Sequence, residues 1–451
     1  MIFPTLAVQL ARKYTEFRSV FVPLVQSNPG IAYESLYNQM DRLIVRPLTK
    51  SAVSTVIVID ALDECKDEET TSAILSVLGR LISKVMKVKF FLTGRPEPRI
   101  QTGFRLPLLK QVTDVFVLHD VDPKLITNDI GVYLKHCFLE VAHPHGSLDG
   151  WPTDEEVERL CKRAAGLFIY AVATVKFVNK RGTNPRRQLD LLLQSPESSV
   201  REAKTKFKTN TSLDSLYTSV LQEAFGGEND PDNDPRVRLV LGAMLLVANP
   251  LSPSTIATLL ALDVDDVFPL LLSAQSLLII QNFNCPVRSF HKSFPDFIVD
   301  QSRCTDQRFY ISPPHCHSQL LISCLDLMIQ TLEKNMCELP DGVVNSDVKD
   351  LKERSERYID PALRYACRSW HTHLVDSHAT SVTTLEITAT LHRFLESGFL
   401  FWLGVLSVLG ALRNAVDALQ AAASWLEVCQ HFIVGLFSLG FLSLDSGVTH
   451  A

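Results

Sequence analysis

Four consecutive apolar residues, Val56 to Ile59, lead into three acids in the stretch VIVIDALDEC. An unbroken β-branched run of this kind is how a strand covered on both faces of a parallel sheet reads. Asp60, Asp63 and Glu64 stand at its end. After the acidic residues 67–69, Ile74, Leu75, Leu78, Leu81, Ile82 and Val85 recur at helical spacing, which predicts an amphipathic helix with acids in its first turn. VKFFLTGRPEPRI then gives a second short apolar strand, broken by Gly94 and Pro96, and DVFVLHDV at 114–121 reads as a third. Strand, helix and strand with a crossover of this length make a βαβ unit, so the sheet is parallel. Such sheets bind ligands beyond the carboxyl ends of their strands, and Asp60 and Arg95 each sit at such an end.

The remainder of the chain is helical in pattern. Apolar spacing predicts helices over 5–14 and 33–48, then over 124–141, 153–180 and 212–225. GGENDPDNDPR at 226–236 is a linker, dense in turn formers and acids. Beyond it, RVRLVLGAMLLVAN, SPSTIATLLA and DVDDVFPLLLSAQS predict three short helices, the second capped by Ser252 with Pro253 at its first position. LLII and VRSF form a small hairpin, and a further helix begins near HKSFPDFI. Three helices with a β wing suggest a winged-helix domain. Helices resume after 311, with a break at LPDGVVNSD, and no fixed repeat period points to a solenoid or propeller.

Composition removes several classes. A chain of 451 residues, 46% hydrophobic and 21% charged, holds two to four compact domains. Its formal charge of −6 provides no field to recruit nucleic acid or an anionic membrane. The candidate recognition helix DVDDVFPLLLSAQS has no Lys or Arg with which to neutralise phosphates. The ten cysteines include no C-x-x-C pair, which fits reduced thiols and a cytoplasmic protein. The N-terminus lacks the pattern of a signal peptide. PPHCHSQ groups His315, Cys316 and His317 without a partner cluster for zinc, and reads as a loop with incidental histidines. Near the C-terminus, the apolar runs 397–412 and 432–444 fall short of the roughly 20 residues a membrane span requires, and read as buried helices or as an apolar face left open by truncation.

An apolar strand ending in Asp60, followed by Asp63 and Glu64, is the Walker B pattern with an acidic tail. A carboxylate at the first position holds Mg²⁺, and a second acid orients the attacking water. Asp60 suits the first role, and Asp63 or Glu64 the second. The plainer alternative is three acids opening a helix and favouring its dipole. Arg95, at the end of the neighbouring strand, is placed to reach a terminal phosphate; the plainer alternative is a surface arginine in a Pro-rich turn.

FPTLAVQLA, VIVIDALDEC, FFLTGRPEPRI, GLFIYAVATVKFV and FHKSFPDFI, in this order, resemble the NACHT proteins of fungi, within the STAND class of signalling nucleotide switches. The resemblance runs from about residue 2 to at least residue 375. It implies an α/β parallel-sheet P-loop NTPase remnant over 1–121, a helical lid over 122–225, the linker 226–236, a winged-helix domain over 237–310 and a C-terminal helical region over 311–451. It also implies ATP or ADP and Mg²⁺ as cofactors, with Asp60 as the magnesium-associated acid, Asp63 and Glu64 as catalytic acids and Arg95 as a sensor. His291 would touch the β-phosphate of bound ADP; read alone, it is a helix-cap or core histidine.

The chain also departs from the pattern. No G-x-x-x-x-G-K-[ST] occurs in these 451 residues, so the backbone N–H cradle, lysine and hydroxyl that hold phosphates are missing. The family places that loop before a segment like FPTLAVQLA, so the expectation is a chain truncated at its N-terminus. Phe168 stands where many relatives place a proline against adenine, and WD, ankyrin or TPR sensor repeats do not follow. The expected function is a NACHT-type signalling NTPase module with weak or no ATP binding. The rival is a non-enzymatic interaction protein that binds full-length relatives or itself through helical surfaces, without nucleic acid or membrane. A DNA-binding regulator is disfavoured by the charge pattern.

Overall fold

The computed structural model describes residues 2–51, 53–65, 68–85, 87–143, 150–194, 208–226, 233–340, 342–377 and 381–438. Asp67, linker residues 227–232 and residues 439–444 of the second apolar run lie outside them. The chain divides at 121/122 into two compact units, each with its own hydrophobic core.

The first unit opens with α1 (Ile2–Lys13) and α2 (Thr15–Ser27), then α3 (Leu36–Gln39) and α4 (Arg46–Ser51), joined by a π-helical segment, Met40–Val45. β1 (Thr55–Ile59), α5 (Glu68–Leu81) and β2 (Val88–Leu92) form the predicted βαβ unit, followed by α6 (Pro98–Phe104) and α7 (Pro107–Lys110). The strands pair in parallel, Thr55 opposite Val88 through Ile59 opposite Leu92. Phe3, Phe17, Met40, Leu43, Ile57, Ile59, Leu75 and Leu78 share the core.

Two expectations for this unit fail. The sheet is covered on one face only: Ile57 and Ile59 are buried, whereas Val56 and Val58 are each 58% exposed and Phe91 59%. The β-branched run reflects strand propensity here more than burial on both sides. The third strand is also missing. Residues 114–117 have no regular structure, a 3₁₀ turn follows at Leu118–Asp120, and Val115, Phe116 and Leu118 are strongly exposed. Among the described residues no strand pairs with this segment, and an apolar stretch without a ladder partner has nothing to hold it in a sheet. The protein is therefore mostly helical, with a two-stranded parallel sheet.

The second unit begins with α8 (Pro123–Ala142), α9 (Asp154–Ala164), α10 (Phe168–Val178), α11 (Pro185–Gln194) and α12 (Lys208–Phe225). A capping box of Thr153 and Glu156 starts α9. The single helix expected over 153–180 is two, because Ala165 and Gly166 both take positive φ, 48° and 82°, a conformation that ends a helix and suits glycine. Next come α13 (Asn233–Leu246), α14 (Pro253–Leu259) and α15 (Val264–Ser273), with Ser252 capping α14 as predicted. An antiparallel ribbon of β3 (Leu278–Ile279) and β4 (Arg288–Ser289) follows, then α16 (Ser293–Ile298).

The chain closes with α17 (Pro313–Thr331), α18 (Leu351–Tyr358), α19 (Pro361–Asp376), α20 (Ser381–Ser397), α21 (Phe399–Val408) and α22 (Arg413–Ser438). Trp370, Phe394 and Trp402 are fully buried and pack edge to face with one another. His315, Cys316 and His317 lie in the first turns of α17, not in a loop, since Pro313 and Pro314 suit a helix start. The Nδ1 atoms of His317 and His373 are 2.8 Å apart, His373 Nε2 lies 2.8 Å from the Tyr365 hydroxyl, and that hydroxyl accepts from the Ala248 amide. The nine cysteines whose side chains are described are free. No helix among the described residues is long and apolar enough to cross a membrane.

Candidate functional site

The parallel register, extended by one residue, sets Asp60 opposite Thr93. The Thr93 hydroxyl donates to Asp60 Oδ1, and its oxygen accepts from the Ala61 amide at 2.9 Å. Leu62 N–H donates to the Thr93 carbonyl, and Thr93 N–H to that of Ile59, so the two strand ends are tied together. Ala61 takes a left-handed conformation, φ 53° and ψ 53°, and turns the chain into a 3₁₀ turn over Leu62–Glu64. Thereafter the acids part company. Asp60 and Glu64 are exposed, whereas Asp63 is 4% exposed and turns inward.

Asp63 is occupied. Its Oδ1 accepts the Arg95 amide at 3.1 Å, its Oδ2 lies 3.6 Å from Arg95 Nε, and its carbonyl accepts from Arg99 at 2.9 Å. Arg99 in turn pairs with Glu97. Gly94 leaves room for this turn: a Cβ there would stand 3.3 Å from Ile100 and 3.5 Å from Asp63 Oδ1. Asp63 thus fastens the loop after β2, and Arg95 is held beside it. The carboxylates of Asp60, Asp63 and Glu64 do not gather within metal-binding distance of one another.

What the arrangement can hold follows from its donors. Asp60, exposed and with the Thr93 hydroxyl beside it, suits a hydrated Mg²⁺, which takes oxygen ligands and keeps most of its waters. A triphosphate needs a row of free backbone N–H groups and a lysine. The loop after β2 commits its Arg95 amide to Asp63, so the described residues of this unit fit a cation better than a nucleotide.

His291 belongs to the second unit. Its Nδ1 accepts the Ser293 amide at 3.2 Å and lies 2.7 Å from Ser293 Oγ, which meets the Tyr217 hydroxyl at 2.6 Å. The ring is exposed and lies two residues before the start of α16. Burial pushes the Tyr217 phenol up to about 12, so it remains a hydrogen-bonding hydroxyl at neutral pH. Phe168, the first residue of α10, stands edge-on to Tyr133 with ring centroids 5.9 Å apart.

Asp60, Asp63 and Arg95 therefore come together at one end of the sheet, with Glu64 on the same turn. Thr93 and Arg99 are partners that sequence reading missed. FFLTGRPEPRI contains both, and the offset of 33 between paired residues would have pointed to Thr93 once the register was known.

Residues 1–95 match the family described as Nephrocystin 3, N-terminal, a span ending at Arg95. Over 398 residues the chain is 22% identical to the Vegetative incompatibility protein HET-E-1 of Podospora anserina, a match covering 82% of this chain and 27% of that protein. The chain thus spans about a quarter of the length of this curated relative.

Proposed function

We propose that this chain is a module of a NACHT/STAND-type signalling protein and carries the acidic half of a nucleotide switch. The observation that bears most weight is the pairing of parallel strand ends, with exposed Asp60 on one and Arg95 on the other, inside the span that matches a described family. The distant similarity to a vegetative incompatibility protein over most of the chain supports the same class.

In this reading Asp60 is the magnesium-associated acid, Glu64 the acid nearest the attacking water, Arg95 the phosphate sensor and His291 the contact to the β-phosphate of ADP. Asp63 changes role from orienting water to bracing Arg95. Residues 122–225 act as the lid, 237–310 as the winged helix, and the protein works in the cytoplasm through self-association or binding to full-length relatives. ATP or ADP with Mg²⁺ is the expected ligand. The phosphate cradle is not among these 451 residues, so no hydrolytic step follows from them alone. Each charge-assisted hydrogen bond a cradle supplies is worth roughly 1.5–3 kcal/mol, and affinity without one is weak.

The second reading, a non-enzymatic interaction module, is favoured by the open apolar face of Val56, Val58 and Phe91. Equilibrium binding of fluorescent ATP and ADP analogues with Mg²⁺ separates the two. Weak binding that requires magnesium and disappears in Asp60→Ala supports the switch. Binding indifferent to magnesium and to Asp60 overturns the assigned site, and no binding at millimolar nucleotide moves the weight to the interaction module.

A further inference from the structure

α8 carries a second chemical grouping, in the unit that lacks the strand-end acids. It buries Ile130, Leu134, Phe138 and Val141. Beside that stripe stand Tyr133, His136, Cys137 and Glu140, at i, i+3, i+4 and i+7, where side chains of successive turns meet. The ligand atoms of His136, Cys137 and Glu140 all lie within 4.8 Å of one another. Among the described residues no other three His, Cys, Asp or Glu side chains gather this closely. His136 Nδ1 is 3.9 Å from Glu140 Oε1, and both side chains are more than 70% exposed, so they can turn without disturbing the core. Cys137 is half-buried. Tyr133, one turn before Cys137, is set edge-on against Phe168. The neighbouring Lys135 is held 2.6 Å from Asp154.

We propose that His136, Cys137 and Glu140 bind one divalent cation of the zinc class, with the fourth position open to water. A thiolate with an imidazole and a carboxylate suits borderline metals and not Mg²⁺ or Ca²⁺, which take oxygen alone. Metal bonds of about 2.0–2.3 Å bring tetrahedral donors to about 3.3–3.8 Å from one another, a closure of about 1 Å that rotation of the two exposed side chains supplies. On binding, the thiol proton passes to water, the sulfur–metal bond forms and the cation releases bound water.

Titration of the full chain with Co²⁺ in a thiol-free reductant tests this. The expected result is one Co²⁺ per chain, with near-ultraviolet thiolate charge-transfer absorption that Zn²⁺ displaces. Cys137→Ser removes that absorption. His136→Gln, at an exposed position where folding is not at stake, weakens binding roughly tenfold or more, and His143→Gln, further along the chain, leaves it unchanged. The proposal is overturned if the unaltered chain shows no charge-transfer band, if the band survives Cys137→Ser, or if His136→Gln binds as tightly as the unaltered chain.

Discussion

Asp60 and Asp63 are three residues apart and answer to different constraints. Asp63 is buried and accepts from the Arg95 amide, so Asp63→Ala leaves that donor without its partner and should destabilise the first unit by roughly 1.5–3 kcal/mol in urea unfolding. Asp60 is exposed and, among the described residues, held by Thr93 alone. Asp60→Ala should leave the unfolding midpoint close to that of the unaltered chain while removing any magnesium-dependent nucleotide binding. Spacing alone made the two acids look like members of one catalytic set. The left-handed turn at Ala61 is what sends Asp63 inward, and nothing in the type of residue 61 announces it. Thr93 was hidden for a related reason, because a hydroxyl acquires its role only when the register brings it to a carboxylate.

At the level of elements, the βαβ unit was readable because a helix between two short apolar strands has few other solutions. The extent of the sheet was not, since residues 114–117 have the composition of a strand without a neighbour to complete it. The run 153–180 misled through its continuous apolar spacing; the Ala165–Gly166 break is visible only as one glycine. Close helix packing is equally silent in sequence. Gly103 of α6 touches α5 so closely that a Cβ would lie 2.3 Å from Leu75 Cδ1 and 3.2 Å from its Cβ. Leu75 is fully buried and has little room to yield. Gly103→Val should therefore cost roughly 1–3 kcal/mol, read as a lower urea midpoint, whereas Gly404→Ala, where a Cβ meets nothing within 4 Å, should not.

Across the whole molecule, stability should depend on acidity through the buried His373 and the half-buried His317 and His371 of the second unit. Burial, reinforced by His317 and His371, pushes His373 down to about 3, from an ordinary value of about 6.5. His317 and His371 are lowered as well, each chiefly by burial and each opposed by a carboxylate, Asp376 and Asp417. Between those limits the unfolded chain binds protons that the folded chain refuses. For His373 stability is thus full above about pH 6.5 and falls as the pH drops toward about 3, by up to about 1.4 kcal/mol per pH unit, and His317 and His371 act in the same direction. Urea midpoints at pH 7.5 and 5 should show the fall, and His373→Gln should flatten it. The same burial sorts the nine described thiols into two populations. Cys304, Cys316 and Cys367 are raised to about 12, and Cys161, Cys324 and Cys337 are also raised, in each case chiefly by burial. Cys65, Cys137 and Cys285 reach the surface. Since only a thiolate reacts with peroxide at a useful rate, an oxidative pulse would write its first marks on these three and pass over the other six, leaving the interior chemically blank until the fold itself opens.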